Sequence, residues 1–430
     1  MSLAKNIALM GTSTVMRLGF GMITFVVMAR VLGPAAFGEV MLWLSVATLS
    51  SLIANFGHTP YLLKEIGGAP TRAASLIAEV LVVRAALSVA VFACAALIAY
   101  GFFDMRTAVL LSLLLAAVLA DGLSEVLIVG FRATDNFAAE TRLATLIAGL
   151  QFLVVVAALW VEPTPMIAAT AFFFSRWLAL LIVCVVQRKY LPAVRVVSIT
   201  QALAKLKTTI SYATDFALQS LFGQVDSVVL NTFLGTAAVG VFQAGMRLFT
   251  GGAQAASVLA NVFLPRAAAA ASDKQRFRSE SIRVQWAFVG VGLMFGMVLA
   301  VGSDLIVPIV YGAQYADLQN VLPWLGLLFF VRFFAASWGV VLTSAGAQAF
   351  RAWMNVVQWL IVIAVALWSV PEMGVVGWVC ALIAGNLFLS IAYTVRGFAL
   401  TSVGVAQPAA ASAAALMFYP FLQIPAFGLK

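Results

Sequence analysis

Charge is what this sequence has least of. Asp, Glu, Lys and Arg make up 10% of its 430 residues and hydrophobic residues 63%, where a soluble domain carries roughly 25% and 45–50%. So few charges cannot cover a water-exposed surface, which excludes a soluble enzyme and a disordered chain. Histidine and cysteine are nearly missing as well. The single histidine, His58, sits in Gly57-His58-Thr59-Pro60, and Cys94, Cys184 and Cys380 each lie inside an apolar run without C-x-x-C spacing. A disulfide framework and a zinc site are excluded on that pattern, and no cofactor is expected. No Walker sequence is present for ATP use. No basic stretch carries the interleaved aromatic and polar pattern of a nucleic-acid module.

What is present is apolar length. Runs bounded by charges, Gly and Pro predict thirteen helices, near 7–30, 40–63, 78–100, 107–131, 143–162, 164–187, 210–233, 240–265, 284–311, 320–346, 355–371, 374–395 and 408–428. The first is too long for a signal-peptide core of about 7–15 residues and reads as a retained span. Alternate loops differ sharply in basic residues. One set, with the N-terminus, holds 17 of the 25 Lys and Arg; the other holds Arg30, Arg106 and Lys430. The positive-inside rule makes the first set cytoplasmic. Net charge of +9 is therefore mostly topology. The non-cytoplasmic loops among the first twelve spans are too short for a catalytic domain, so no enzyme is expected, a membrane glycan polymerase or ligase included.

The sequence also repeats. At a constant offset of 202, Val26, Val27, Leu32, Gly33, Ala35, Ala36 and Gly38 each meet an identical residue in Val228–Gly240. Six predicted spans separate the copies, so both copies enter the membrane with the same orientation. The expected fold is an all-α polytopic membrane protein: two six-helix lobes in a parallel pseudo-two-fold repeat around a central cavity, plus an extra C-terminal apolar segment. The lobes fall at 1–187 and 210–395, joined by a basic cytoplasmic linker at 188–209 and followed by the segment 396–430. Two lobes about an axis is how alternating-access transporters are built.

Ala29-Arg30-Val31-Leu32-Gly33-Pro34-Ala35-Ala36-Phe37-Gly38 resembles the A-R-x-L-G-P-x-x-F-G signature of Wzx-type polysaccharide flippases, within the multidrug and oligosaccharidyl-lipid exporter superfamily. Asp226-Ser-Val-Val-Leu, Leu234-Gly235, Val239-Gly240, Leu264-Pro265, Tyr311-Gly312 and Gly374-Val-Val-Gly377 fit the same family over about the first 395 residues. The chain departs from the twelve or fourteen spans usual there by its thirteenth run. The resemblance implies a bacterial inner-membrane protein that carries undecaprenyl-diphosphate-linked oligosaccharide from the cytoplasmic to the periplasmic leaflet for surface polysaccharide such as O-antigen. Its partners would be the lipid bilayer, that glycan, a coupling proton or sodium ion, and polysaccharide assembly proteins. A multidrug or cation antiporter of the same superfamily is the alternative.

Five arginines lie within spans: Arg17, Arg84, Arg176, Arg247 and Arg332. A charge at a helix centre costs about 2.5–3.5 kcal/mol on insertion scales, so each calls for a partner or a wet cavity. Arginine matches phosphate oxygens in pairs, which suits a diphosphate head group. Arg17, Arg176 and Arg332 fall near mid-membrane and are the best candidates for head-group contact; Arg84 and Arg247 lie about two turns in, where anchoring competes with that role. Asp121 and Glu125, at i and i+4, share one face of the fourth helix, and Asp226 and Asp215 lie on the seventh. These acids either bind the coupling ion or neutralise an arginine.

Overall fold

The computed structural model describes residues 3–132, 136–191, 223–401 and 406–422, with side chains from 16 onward except those of 17, 70 and 406–409. Among the described residues there is no strand, and nine helices are long and apolar enough to cross a membrane. In hydrocarbon every backbone N–H and C=O must be paired within its own segment, and the helix achieves this.

The helices are longer and more continuous than the apolar runs. Residues 31–39 are not the loop that the sequence predicts: α1 runs Leu3–Asn55, interrupted only at Gly33, which takes φ 76 and ψ 171. Pro34 restarts the helix at once, because its missing N–H is one that a first turn leaves unpaired anyway. The second predicted span ends early, and α2, His58–Gly68, follows across Gly57. Next come α3 (Ala73–Phe102), α4 (Met105–Arg132), α5 (Phe137–Val161) and α6 (Pro165–Val186). Of the seventh span only α7, Val225–Leu234, is described. Most of the 188–209 linker, and Asp215, lie outside the described residues.

Gly235, with φ 82 and ψ 179, precedes α8 (Thr236–Ala270). It repeats the conformation of Gly33, its counterpart at offset 202. The ninth predicted span divides into α9 (Lys274–Val301) and α10 (Ser303–Val310). Then come α11 (Ala316–Ser344) and α12 (Gln348–Thr401), which joins two predicted spans across Gly374. The described part of the last run is α13 (Ala406–Leu416) and a 3-10 turn at Tyr419–Phe421.

Short polar side chains start several helices by accepting from otherwise unpaired N–H groups. Asn136 accepts from Ala139 N at 3.2 Å, Thr164 from Ile167 N at 3.3 Å and Asp273 from Gln275 N at 2.9 Å. Asp104, between α3 and α4, accepts from Thr107 N at 3.1 Å, and its hydrogen bonding to Thr107 holds its carboxyl below the ordinary aspartate value.

The chain divides into two compact units, Met1–Thr232 and Phe233–Lys430. In the first, α4 is the hub and packs on α1, α3 and α6. Leu76, Ile77 and Val80 of α3 meet Val126 and Leu127 of α4 and Val183 of α6. Tyr190 closes one end of that core by donating to Gly130 O at 3.0 Å. Ser45 Oγ donates to Ser227 Oγ at 3.0 Å, tying α1 to α7.

In the second unit α11 is the hub, packed on α8, α9 and α12. Its centre is aromatic. Phe329 lies 4.4 Å from Phe333 between ring centroids, 4.7 Å from Phe295 and 5.2 Å from Phe249. Gly296 of α9 and Gly326 of α11 let the two backbones touch: a Cβ at Gly296 would lie 2.6 Å from Gly326 O. Lipid tails are as apolar as leucine, so close packing of this kind, rather than escape from water, holds membrane helices together. Phe418, fully buried, wedges beside Gly296 and Phe330 at 5.9 Å.

Candidate functional site

Helix α4 is buried on almost every side. Between Ala108 and Phe131 the only exposed residues are Asp121 and Glu125. They lie on a stripe with Val118, Ile128 and Arg132 at the three- and four-residue spacing of one helix face. Two carboxylates on the open stripe of an otherwise apolar helix are the informative polar feature of this unit.

Each carboxylate has its own arginine, from a different helix. Arg176 Nη1 of α6 lies 2.6 Å from Asp121 Oδ1. Arg84 Nη2 of α3 lies 3.6 Å from Glu125 Oε2 and also donates to Asn55 Oδ1 of α1. Glycine at 122 makes this possible, since a Cβ there would fall 2.5 Å from the Arg84 guanidinium. Arg84 is 2% exposed whereas Glu125 is 56% exposed, so the arginine forms the wall behind the carboxylate. A third pair closes one end. Arg132 Nε donates to both Glu140 oxygens, at 3.0 Å and 3.2 Å, and Nη2 donates to Oε1 at 2.8 Å.

These groups surround a cavity of about 450 Å³ inside the first unit. Thr24 and Phe25 of α1, Thr59 of α2, Phe137, Thr141 and Gln151 of α5 and Arg176 complete its wall. A volume in the roughly 300–1,000 Å³ range suits a small polar ligand.

Four residues singled out by sequence thus come together: Asp121, Glu125, Arg84 and Arg176. The others lie elsewhere. Arg17 is one turn before Gly21, which lines the cavity, but its side chain is outside the described residues. Asp226 is buried in the first turn of α7. In the second unit Arg247 is half-buried on α8. Arg332, on α11, is the only exposed residue between Val321 and Ala345, and its guanidinium lies 5.7 Å from the Phe249 ring centroid. Sequence reading missed Arg132, Glu140, Asn55 and Gln151. Arg132 had been absorbed into the count of loop charges, and its partner eight residues on becomes visible only once α4 and α5 fold back together.

An all-helical unit with an ion-paired, half-open cavity among apolar spans marks a multi-pass membrane protein. Solved structures share the whole fold. The lipid II flippase MurJ, in an inward closed conformation, matches with a TM-score of 0.62 at 12% identity, over 96% of this chain and 98% of that one. An inward-facing multidrug resistance MATE family transporter of the MOP superfamily matches with a TM-score of 0.60 at 15% identity, over 95% and 98%. A MOP superfamily transporter from Pyrococcus furiosus, described as having a binding pocket of reverse polarity, matches with a TM-score of 0.57 at 14% identity, over 95% and 96%. At such identities the likeness is one of fold. No curated protein sequence matches the chain. The chain belongs to the polysaccharide biosynthesis protein family, which matches residues 3–270.

Proposed function

We propose that this protein is a flippase that carries an undecaprenyl-diphosphate-linked oligosaccharide from the cytoplasmic to the periplasmic leaflet of a bacterial inner membrane, by alternating access. The observation that carries this reading is the cavity of about 450 Å³ walled by ion pairs within a unit built for hydrocarbon. Such a cavity gives a polar head group a solvated path while its prenyl tail stays in lipid. Arg176 and Arg332, the most accessible of the span arginines with described side chains, are assigned to head-group contact. Arg332 rests against Phe249, which holds a guanidinium by cation–π attraction, and a guanidinium's planar fork matches phosphate oxygens. Arg84 and Arg247 are assigned to the framework, and Arg17 to the same helix face as the cavity residue Gly21. Asp121, Glu125 and Asp226 are the candidates for a coupling proton or sodium ion. The N-terminus is placed in the cytoplasm by the distribution of basic residues, and contact with polysaccharide assembly proteins belongs to the same reading.

The half-exposed carboxylates of Asp121 and Glu125 favour one second reading, a cation or multidrug antiporter. Reconstitution with a fluorescent lipid-linked sugar separates the two. The flippase reading expects leaflet exchange that falls about tenfold in Arg332→Ala, the loss of one charge-assisted hydrogen bond. Export of a cationic dye with no sugar-lipid exchange would replace it by the antiporter.

A further inference from the structure

Which part of the head group the first unit's cavity selects follows from how its charges are spent. We propose that this cavity is a saccharide subsite, holding a sugar ring of the transported head group while the phosphates bind elsewhere; the inference rests on the flippase reading above. Among the described residues its wall carries Asp121, Glu125 and Glu140 with Arg132 and Arg176, and Arg84 stands behind Glu125, so each acid has its own arginine. Arg132 gives both Nε and Nη2 to Glu140. Arg176 gives Nη1 to Asp121. A phosphate entering here would meet arginines already engaged and two carboxylates that are 53% and 56% exposed. Sugar hydroxyls reverse that outcome, because each donates to a carboxylate oxygen and still accepts from an arginine N–H.

Gln151 supplies an independent observation. It lines the cavity, is 9% exposed, and its amide makes no hydrogen bond among the described residues. The amide faces the cavity and offers one acceptor beside two donors, the pattern that adjacent hydroxyls satisfy. Phe25 and Phe137 add aromatic wall against which the C–H face of a pyranose packs. A divalent ion fits less well: among the described residues no three His, Cys, Asp or Glu side chains converge on one point.

Saturation-transfer NMR on the full chain in lipid nanodiscs tests this, with N-acetylglucosamine, galactose and rhamnose as free sugar probes and inorganic diphosphate and sodium as competitors. The expected result is saturation of at least one sugar, undisturbed by diphosphate and weakened about tenfold by Gln151→Leu, the loss of roughly one buried hydrogen-bonded contact. Gln151→Glu keeps the volume and an acceptor, and should weaken the sugar less than Gln151→Leu does. Displacement of the sugar by diphosphate or sodium, equal binding by wild type and Gln151→Leu, or no saturation of any probe would overturn the proposal. Free sugars need no lipid carrier, so sugar binding without leaflet exchange sinks the flippase reading and leaves the subsite. Leaflet exchange without sugar saturation does the reverse.

Discussion

Helices α4 and α11 hold the same rank in their units, each the most deeply packed of the candidate spans around it, yet they are packed by different physics. The open stripe of α4 carries Asp121 and Glu125; the only exposed residue along the central part of α11 is Arg332. Around α4 the apolar packing on α3 and α6 is joined on the open stripe by ion pairs from the same two helices. Around α11 the neighbours are held by stacked phenylalanines and a glycine-to-glycine backbone contact. An ion-paired seam can be opened by any ligand that offers its charges equal partners, whereas an aromatic seam has no such exchange. The contrast predicts that the first unit rearranges more readily around a polar guest than the second.

That contrast can be broken at either helix, and the largest effects belong to α11. Phe329→Ala removes the ring on which three others converge, and should cost about 4 kcal/mol, read as a loss of thermal stability in detergent. Gly326→Ala forces α9 and α11 apart at a backbone contact and should cost about 3 kcal/mol, the upper end of overpacking. On α4, Glu125→Gln leaves Arg84 buried without its counter-charge. Because Glu125 is half exposed, the penalty should be about 2 kcal/mol, below that of a fully buried pair. A larger loss in Glu125→Gln than in Phe329→Ala would invert the assignment of rigid and adaptable units. Asp121→Asn should change stability by less than about 1 kcal/mol, both partners being partly exposed, while altering leaflet exchange; an unchanged exchange rate would remove Asp121 from the site.

The smallest effect concerns how the two helices begin. Asp104 caps α4, and α11 starts at Tyr315 with no side-chain cap. The Asp104 carboxyl titrates below its unfolded value, so its contribution is complete above the ordinary aspartate range and is lost as pH falls through the folded value. The protection of the Thr107 amide, relative to its intrinsic exchange rate at each pH, should therefore fall on acidification, with no matching change at the start of α11.

How much of this was legible beforehand depended on whether the signal was local. The i, i+4 pair Asp121–Glu125 and the in-span arginines could be read directly, because a charge in hydrocarbon stands out by its cost. Gly33-Pro34 could be read as a bend. That the bend consumes a single residue could not, since the apolar pattern on either side fades at Arg30 and Glu39 while the helix continues. The partner choices were invisible for another reason. Arg84 to Asn55, Arg176 to Asp121 and Arg132 to Glu140 all join different helices, and only helix packing decides which arginine meets which acid. Gln151 is the one amide in the apolar run 143–162, but it carries no charge, and nothing in the sequence says that it faces a cavity rather than a neighbouring helix.

The breaks at Gly33 and Gly235 have a consequence in handedness. Both residues occupy a region that is closed to L-amino acids and is reached almost only by glycine, and at Gly235 a Cβ would meet nothing within 4 Å. The obstacle there is chirality rather than room. The mirror image of φ 82 and ψ 179 is ordinary extended backbone, so D-alanine introduced at 235 by chemical ligation should be accommodated without strain, where L-alanine is not. A protein assembled from L-residues has one building block for such a corner, and this chain uses it at both Gly33 and Gly235.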